Sequence, residues 1–230
     1  MAALCGLAHK PMVGSGLRAS AIGMDKWATK LAAEAVGVRT AQGTLVHASK
    51  TAEAAFEGAV VVKPVSGGSS YGVALVQAAD QLAPALAEAA RHSELILLEE
   101  VIRGREIDVA VLREPDGSTW APPPLEIHAE GVFDTAAKYG GAARFTVPAD
   151  LADQEREALV QAALTVFDAL GCSGVARVDF FLTDDGPILN EINTTPGMTA
   201  LSQVPRMFAA AGVPYGDLVA HLVASARANT

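Results

Sequence analysis

Between Gly174 and Asn193 the chain reads GVARVDFFLTDDGPILNEIN. Two apolar-rich runs, Gly174–Leu182 and Pro187–Ile192, flank the turn Asp184-Asp185-Gly186, which is the pattern of an antiparallel hairpin. Charged residues stand inside these runs, where burial is costly unless they are paired or metal-bound. Glu191 and Asn193 are two apart, so a strand puts both side chains on one face. With Asp179 on the partner run they form an oxygen-only set that suits a hard cation, Mg2+ or Mn2+, with phosphates and water completing the shell. The alternative is that all three face solvent. Arg177 shares the parity of Asp179; it either bridges the acids or neutralises a developing oxyanion.

Working outward, further strand and helix signals alternate irregularly. Asp25 caps a helix that carries Trp27, Leu31, Ala35 and Val36 and stops at Gly37. Strands are expected at Gly43–His47, Ala59–Pro64, Val73–Val76, Leu95–Ile102, Glu106–Arg113 and Leu125–His128, with a short helix at Thr51–Glu57. Longer helices are expected at Asp80–His92 and Asp150–Leu170, and two more, Gln203–Ala211 and Tyr215–Arg227, finish the chain. Residues 1–24 read as a short apolar segment and a glycine-rich turn, and 129–147 as a long irregular loop of the functional kind. Hairpins mixed with helices indicate an α+β fold rather than a strictly alternating parallel sheet.

The composition excludes several function classes. The chain has 230 residues, 50% hydrophobic and 19% charged, with a net charge of −9. That is enough apolar material for a real core. A nonspecific nucleic-acid binder needs a positive footprint, and no basic run exists. No apolar stretch approaches the ~18 residues of a membrane span. MAALCGLAHK at the start has no positive region ahead of its apolar run, so a signal peptide is not expected, and a soluble cytoplasmic protein is. Cys5 and Cys172 form neither a disulfide framework nor a zinc cluster and are expected as reduced, buried small side chains.

Two other segments carry chemistry. Val62-Lys63-Pro64 ends a buried strand in a lysine, and Gly67-Gly68-Ser69-Ser70-Tyr71-Gly72 follows. A cation beside a loop of small residues, whose amides approach closely, suits a polyphosphate; a flexible hairpin loop with a solvated lysine is the alternative. Glu99-Glu100-Val101-Ile102 leads into the turn Arg103-Gly104, a plausible boundary between lobes. Main-chain groups there can bond an adenine edge and an acid can accept from a ribose, or the stretch is an exposed acidic turn. Gly14-Ser15-Gly16-Leu17-Arg18-Ala19 imitates a dinucleotide fingerprint, but no matching βαβ unit accompanies it. His9, His47, His92, His128 and His221 are scattered, so a catalytic triad has no support.

In order and spacing over nearly the whole chain, these segments resemble the D-alanine–D-alanine ligase family of ATP-grasp enzymes. The carrying stretches are Gly23-Met24-Asp25-Lys26, Val62-Lys63-Pro64, Gly68-Ser69-Ser70-Tyr71-Gly72-Val73, Glu99-Glu100 with Gly104-Arg105-Glu106, and Ala137-Lys138-Tyr139. Pro148-Ala149, Leu170-Gly171-Cys172, Ala176 to Phe180 and Leu189 to Thr199 continue the match. The resemblance implies two α+β lobes with mainly antiparallel sheets and ATP between them. Residues 25–103 would be the central lobe, 104–230 the C-terminal lobe with the metal site and a mobile loop at 129–147, and 1–24 a remnant of an N-terminal α/β domain. It implies activation of a carboxylate to an acyl phosphate and attack by an amine, joining two D-alanines for peptidoglycan precursor synthesis.

Carried over by motif, Lys26 and Lys63 look like phosphate-binding lysines beside Ser70. Glu99, Glu100, Val101 and Ile102 look like the adenine hinge, and Glu106 like a ribose ligand. Lys138 resembles the loop lysine that reaches the terminal phosphate. Asp179, Glu191 and Asn193 match the metal ligands. Arg177 and the Gly197 amide resemble the oxyanion site, Ser202 a contact to the second substrate's carboxylate, and Ser69 and Tyr139 groups that position the first D-alanine. The resemblance also implies a dimer. Tyr139 argues against the D-alanine–D-lactate branch, whose loop resembles a histidine-bearing one.

The departures are a missing α/β domain, which carries the glutamate that anchors the first substrate, and Val132-Phe133-Asp134-Thr135 where the family reads Phe-Tyr-Asp-Tyr. On that basis the chain alone is expected to bind Mg-ATP and to be a poor or inactive ligase. Two other readings stay open: an ATP-grasp ligase for another amino acid or peptide, and a non-catalytic ATP-binding remnant.

Overall fold

The computed structural model describes residues 2–128 and 144–228. The helices are α1 (Ala2–Leu7), α2 (Leu17–Met24), α3 (Lys26–Ala35), α4 (Ala79–Ala90), α5 (Asp153–Leu170), α6 (Gln203–Ala210) and α7 (Tyr215–Ala228). The strands are β1 (Gly43–His47), β2 (Val60–Pro64), β3 (Ala74–Val76), β4 (Leu95–Glu100), β5 (Arg105–Arg113), β6 (Thr119–Trp120), β7 (Leu125–His128), β8 (Arg144–Thr146), β9 (Val175–Thr183) and β10 (Gly186–Asn193). A four-stranded antiparallel sheet has the order β1-β4-β2-β3. A larger antiparallel sheet has the order β10-β9-β5-β7-β8, with β6 beside β5.

Alternation along the strands assigns the faces. On the smaller sheet Val62, Ile96 and Leu98 pack under Leu82 and Leu86 of α4. Their neighbours Val61, Lys63 and Glu99 therefore point the other way. On the larger sheet Ile107, Val109, Val178, Phe180 and Ile192 meet Leu159, Val166 and Phe167 of α5, together with Ala19 of α2 and Ala33 of α3. The opposite face is covered at one end by Val204, Met207 and Phe208 of α6 and by Leu218 and Leu222 of α7, packed on Ala110, Leu112 and Val175. Its other end, bearing Asp108, Arg177, Asp179 and Glu191, is left for the cleft between the sheets.

Several expectations are corrected. The opening stretch is two helices rather than one apolar segment. Gly14 and Ser15 pack against the start of β9: the Ser173 amide donates to Ser15 Oγ at 3.2 Å and Ser173 Oγ to the Gly14 carbonyl at 2.8 Å. The false dinucleotide pattern is thus a close backbone approach; a Cβ on Gly174 would sit 3.0 Å from Gly14 Cα. Helix α3 packs on the larger sheet, although it falls inside the segment expected as the central lobe. The helix expected at Thr51–Glu57 is a 3-10 turn at Ala48–Glu53. Pro84 stands in the second turn of α4. Part of the expected loop, Arg144–Thr146, is strand β8 on β7; residues 129–143, with Lys138 and Tyr139, lie outside the described residues. Cys172 is buried, and burial raises its thiol pKa, but Cys5 is only half-buried. Among the described residues no single helix is long and apolar enough to cross a membrane; α6 and α7 reach that length and composition only as a pair bent by 106°.

Candidate functional site

Two connected chambers open between the sheets. The larger, about 570 Å³ with the open solvent at its mouth included, is lined by Lys26, Lys63, the Ser66–Tyr71 loop, Asn190 and Glu191. The smaller, of about 330 Å³, lies between Val61, Ile102 and Ala41 on one side and Phe181 and Leu189 on the other. Val61, Lys63 and Asn190 belong to both. A slot with apolar walls, edged by Lys63, Glu99 and Glu100, continues into a chamber with two lysines and a glycine-serine loop, a lining complementary to a base and its anionic phosphates.

The first chamber is built by three elements. Asp25 caps α3 by accepting from the Ala28 amide at 2.8 Å, which fixes where the helix starts and hence where Lys26 points. The Lys26 amide donates to the Val65 carbonyl at 3.0 Å and its Nζ to the Gly67 carbonyl at 3.2 Å, tying helix to loop. Burial pushes the Lys26 ammonium below the usual lysine range; Glu191 works against that shift and Lys63 adds to it. In the loop, Ser69 and Ser70 both adopt left-handed backbone at φ 56°. That conformation is uncommon for a residue with a Cβ and clusters at ligand clamps.

Glu191 reaches the chamber through a bulge. Leu189 is opposite Phe180 and Glu191 is opposite Asp179, which leaves Asn190 as the extra residue. A bulge of this type brings two consecutive side chains to one face, and Asn190 and Glu191 both line the chamber. Simple parity assigns Asn190 to the opposite face, so sequence reasoning missed it. Lys63 Nζ donates to Asn190 Oδ1 at 3.4 Å.

Asp108, Asp179 and Glu191 form a row across three adjacent strands, with Asp108 opposite Asp179 in register. Arg177 lies beside them. Its Nε and Nη2 donate to the two oxygens of Asp179 at 2.7 and 2.6 Å, and its Nε is 3.3 Å from Asp108. Burial disfavours the guanidinium charge, but Asp179, Asp108 and Glu191 outweigh it and hold the pKa above the ordinary arginine value. Nη1 donates to Gln203 Oε1 at 2.6 Å, at the start of α6. Arg177 therefore bridges the acids while standing on the cleft face.

The expected metal set is brought together in part. Asp179 and Glu191 are cross-strand partners, and Asn193 is opposite Arg177 on the same face. Asn193 Oδ1 accepts from the Thr195 amide at 2.9 Å. The donors are oxygens only, and each oxygen has a second lone pair beside its hydrogen bond. This chemistry fits a hard divalent cation that takes its other ligands from phosphate and water. Among the described residues no three His, Cys, Asp or Glu side chains form a metal cage on their own.

Glu99, Glu100 and Ile102 of the acidic stretch line the smaller chamber, and it is the alternative of an exposed acidic turn that fails at Glu99. Glu99 and its backbone stand inside the sheet, opposite Gly43 and Val61. Its side chain is buried, with Oε1 2.7 Å from Lys30 Nζ and Oε2 paired with Lys63. Glu99 is thus an internal ion-pair partner rather than an exposed acid. Glu100 accepts from the Gln42 amide at 2.7 Å. Val101 and Ile102, past the strand end, keep main chain outside the ladder. Glu106 is opposite Phe181 of the slot in register. Gly197 and Ser202 lie outside both chambers, at the α6 end of the Arg177 face. Ser202 Oγ is 2.8 Å from Thr199 Oγ1, and a Cβ on Gly197 would stand 3.1 Å from Ser202 Oγ.

A family model described as "D-ala D-ala ligase C-terminus" matches residues 33–224. The chain is 46% identical to a D-alanine–D-alanine ligase of Mycobacterium bovis, over 97% of its own length and 63% of that relative. The chain therefore spans about 63% of the length of these curated relatives. Among solved structures, a D-alanine–D-alanine ligase from Coxiella burnetii superposes with a TM-score of 0.83 at 32% identity, covering 99% of this chain and 64% of that one. A Bacillus anthracis D-alanine–D-alanine ligase crystallised with ATP gives 0.82 at 26% identity, covering 98% and 73%.

Proposed function

The chain belongs to the D-alanine–D-alanine ligase family and has its mixed α+β ATP-grasp fold, and from that premise we propose that it carries the nucleotide and metal half of an ATP-dependent ligase for D-alanine. A carboxylate oxygen of the first D-alanine attacks the γ-phosphorus, and the bond to ADP breaks. The amine of the second D-alanine attacks the resulting acyl phosphate; phosphate leaves, the nitrogen loses a proton and an amide forms. The product serves as a peptidoglycan precursor.

One observation carries this reading: an apolar slot runs into a chamber whose walls are two lysines, a small-residue loop and a carboxylate-bearing hairpin. The slot takes adenine between Val61 and Phe181, with the main chain of Val101 and Ile102 along its edge and Glu106 toward the ribose. Lys26, Lys63 and the loop at Ser69 and Ser70 take the phosphates. Asp179, Glu191 and Asn193 hold Mg2+ or Mn2+, which when bound screens the phosphate charges. Arg177 and the Gly197 amide face the oxyanion formed on amine attack, where preorganised charge is worth most. Ser202 meets the second carboxylate; Ser69 and Tyr139 orient the first substrate; Lys138 reaches the terminal phosphate. The lobe division at 103–104, a cytoplasmic location and a homodimer belong to the same proposal, with α3 tying the central lobe to the core of the other.

The test is ADP release from Mg-ATP with D-alanine, L-alanine or no amino acid, and chromatography for the dipeptide. The chain alone is expected to release ADP slowly, D-alanine to raise that release with at most a small yield of D-alanyl-D-alanine, and L-alanine to leave it unchanged. ADP release indifferent to D-alanine would contradict the reading.

A further inference from the structure

Lys30 lies on α3 one turn after Lys26, on the same helix face, yet lines neither chamber. It is buried, as are Glu99 and Lys63. Its ammonium donates to the Ala41 carbonyl and stands 2.7 Å from Glu99 Oε1, while the other oxygen of Glu99 pairs with Lys63. One carboxylate is thus divided between two ammonium groups, only one of which reaches the cleft. The three carry a net charge of +1. Without Lys30, both oxygens of Glu99 fall to Lys63, and the pair presented to the cleft is neutral.

We propose that Lys30 is a positioning residue: by taking one oxygen of Glu99, it leaves the charge of Lys63 partly uncompensated toward an anionic ligand in the cleft. This rests on the reading that a nucleoside triphosphate occupies that cleft. The role is electrostatic and not only a matter of packing, because Lys30 and Glu99 have opposite effects on the same ammonium. Removing Lys30 weakens the field on a phosphate; removing the charge of Glu99 strengthens it. A neutral nucleoside in the slot, which Lys63 and Glu99 also line, responds far less to the net charge of the group than a polyphosphate does.

The experiment is calorimetric titration of Mg-ATP and, separately, of adenosine into wild type, Lys30→Met, Glu99→Gln and the double variant. The readout is the ratio of ATP affinity to adenosine affinity. Lys30→Met is expected to lower that ratio about tenfold, the scale of one charge-assisted contact. Glu99→Gln is expected to raise it, and the double variant to return it toward wild type. If Lys30→Met does not fold, Glu99→Gln alone carries the sign of the effect. An unchanged ratio in Lys30→Met, or a fall in both single variants, overturns the proposal. Failure of wild type to bind Mg-ATP at all defeats the nucleotide reading instead, and the proposal with it.

Discussion

Gly104 is the residue on which the two sheets turn. It follows Val101 and Ile102 and precedes β5, and a Cβ there would stand 2.6 Å from the Leu182 carbonyl oxygen and 3.0 Å from its carbon. These are backbone atoms of β9 and cannot move aside as the end of a flexible side chain can. Gly104→Ala is expected to destabilise the fold by about 1–3 kcal/mol, the usual scale of overpacking, and to weaken Mg-ATP binding by shifting the Val101–Ile102 main chain. A denaturant midpoint equal to wild type would contradict this. The lone lysine closing an apolar strand and the oxygen donors within two others were legible in the sequence, because a charge in a buried run needs a reason. Lys30 was not: it sits in an ordinary amphipathic helix, and its partner Glu99 is far along the chain. Asp108 carried the same signal, as the one acid within the apolar run Ile107–Leu112 of β5.

At the scale of elements, β5 is held to β7 by Arg105, which donates twice to Glu126 at 2.8 and 2.6 Å and once to the Asp150 carbonyl at 2.6 Å. The guanidinium holds the Glu126 carboxyl below its ordinary range. A carboxylate lowered in this way stabilises the fold above its ordinary pKa, and that contribution fades as pH falls through the lowered value. The Arg105 side chain is 38% exposed, so solvent screens the pair. Glu126→Gln is therefore expected to cost about 1 kcal/mol at neutral pH, and its difference from wild type to close in acid. Thermal unfolding across that range checks both; a constant difference would contradict the sign. The hairpin β9–β10 was readable because turn chemistry and alternation agree. Its bulge was not, since the extra residue at Asn190 leaves the apolar pattern of Leu189 and Ile192 intact. Helix α2 and strand β8 were missed because short elements take their stability from neighbours distant in sequence.

At the scale of the molecule, α5 and α4 each support one sheet from its outer face, and the two inner faces supply the cleft. A lysine-bearing strand and a helix start meet an acidic hairpin across it. The central claim is that this cleft binds a nucleotide as its metal complex, with Glu191 as the ligand that joins the hairpin to the phosphate chamber. The most direct measurement is titration of ATP into wild type and Glu191→Ala, each with and without Mg2+. Wild type is expected to bind tightly only when Mg2+ is present, and Glu191→Ala to lose most of that dependence while keeping its melting temperature. The same gain from Mg2+ in both proteins would contradict the account.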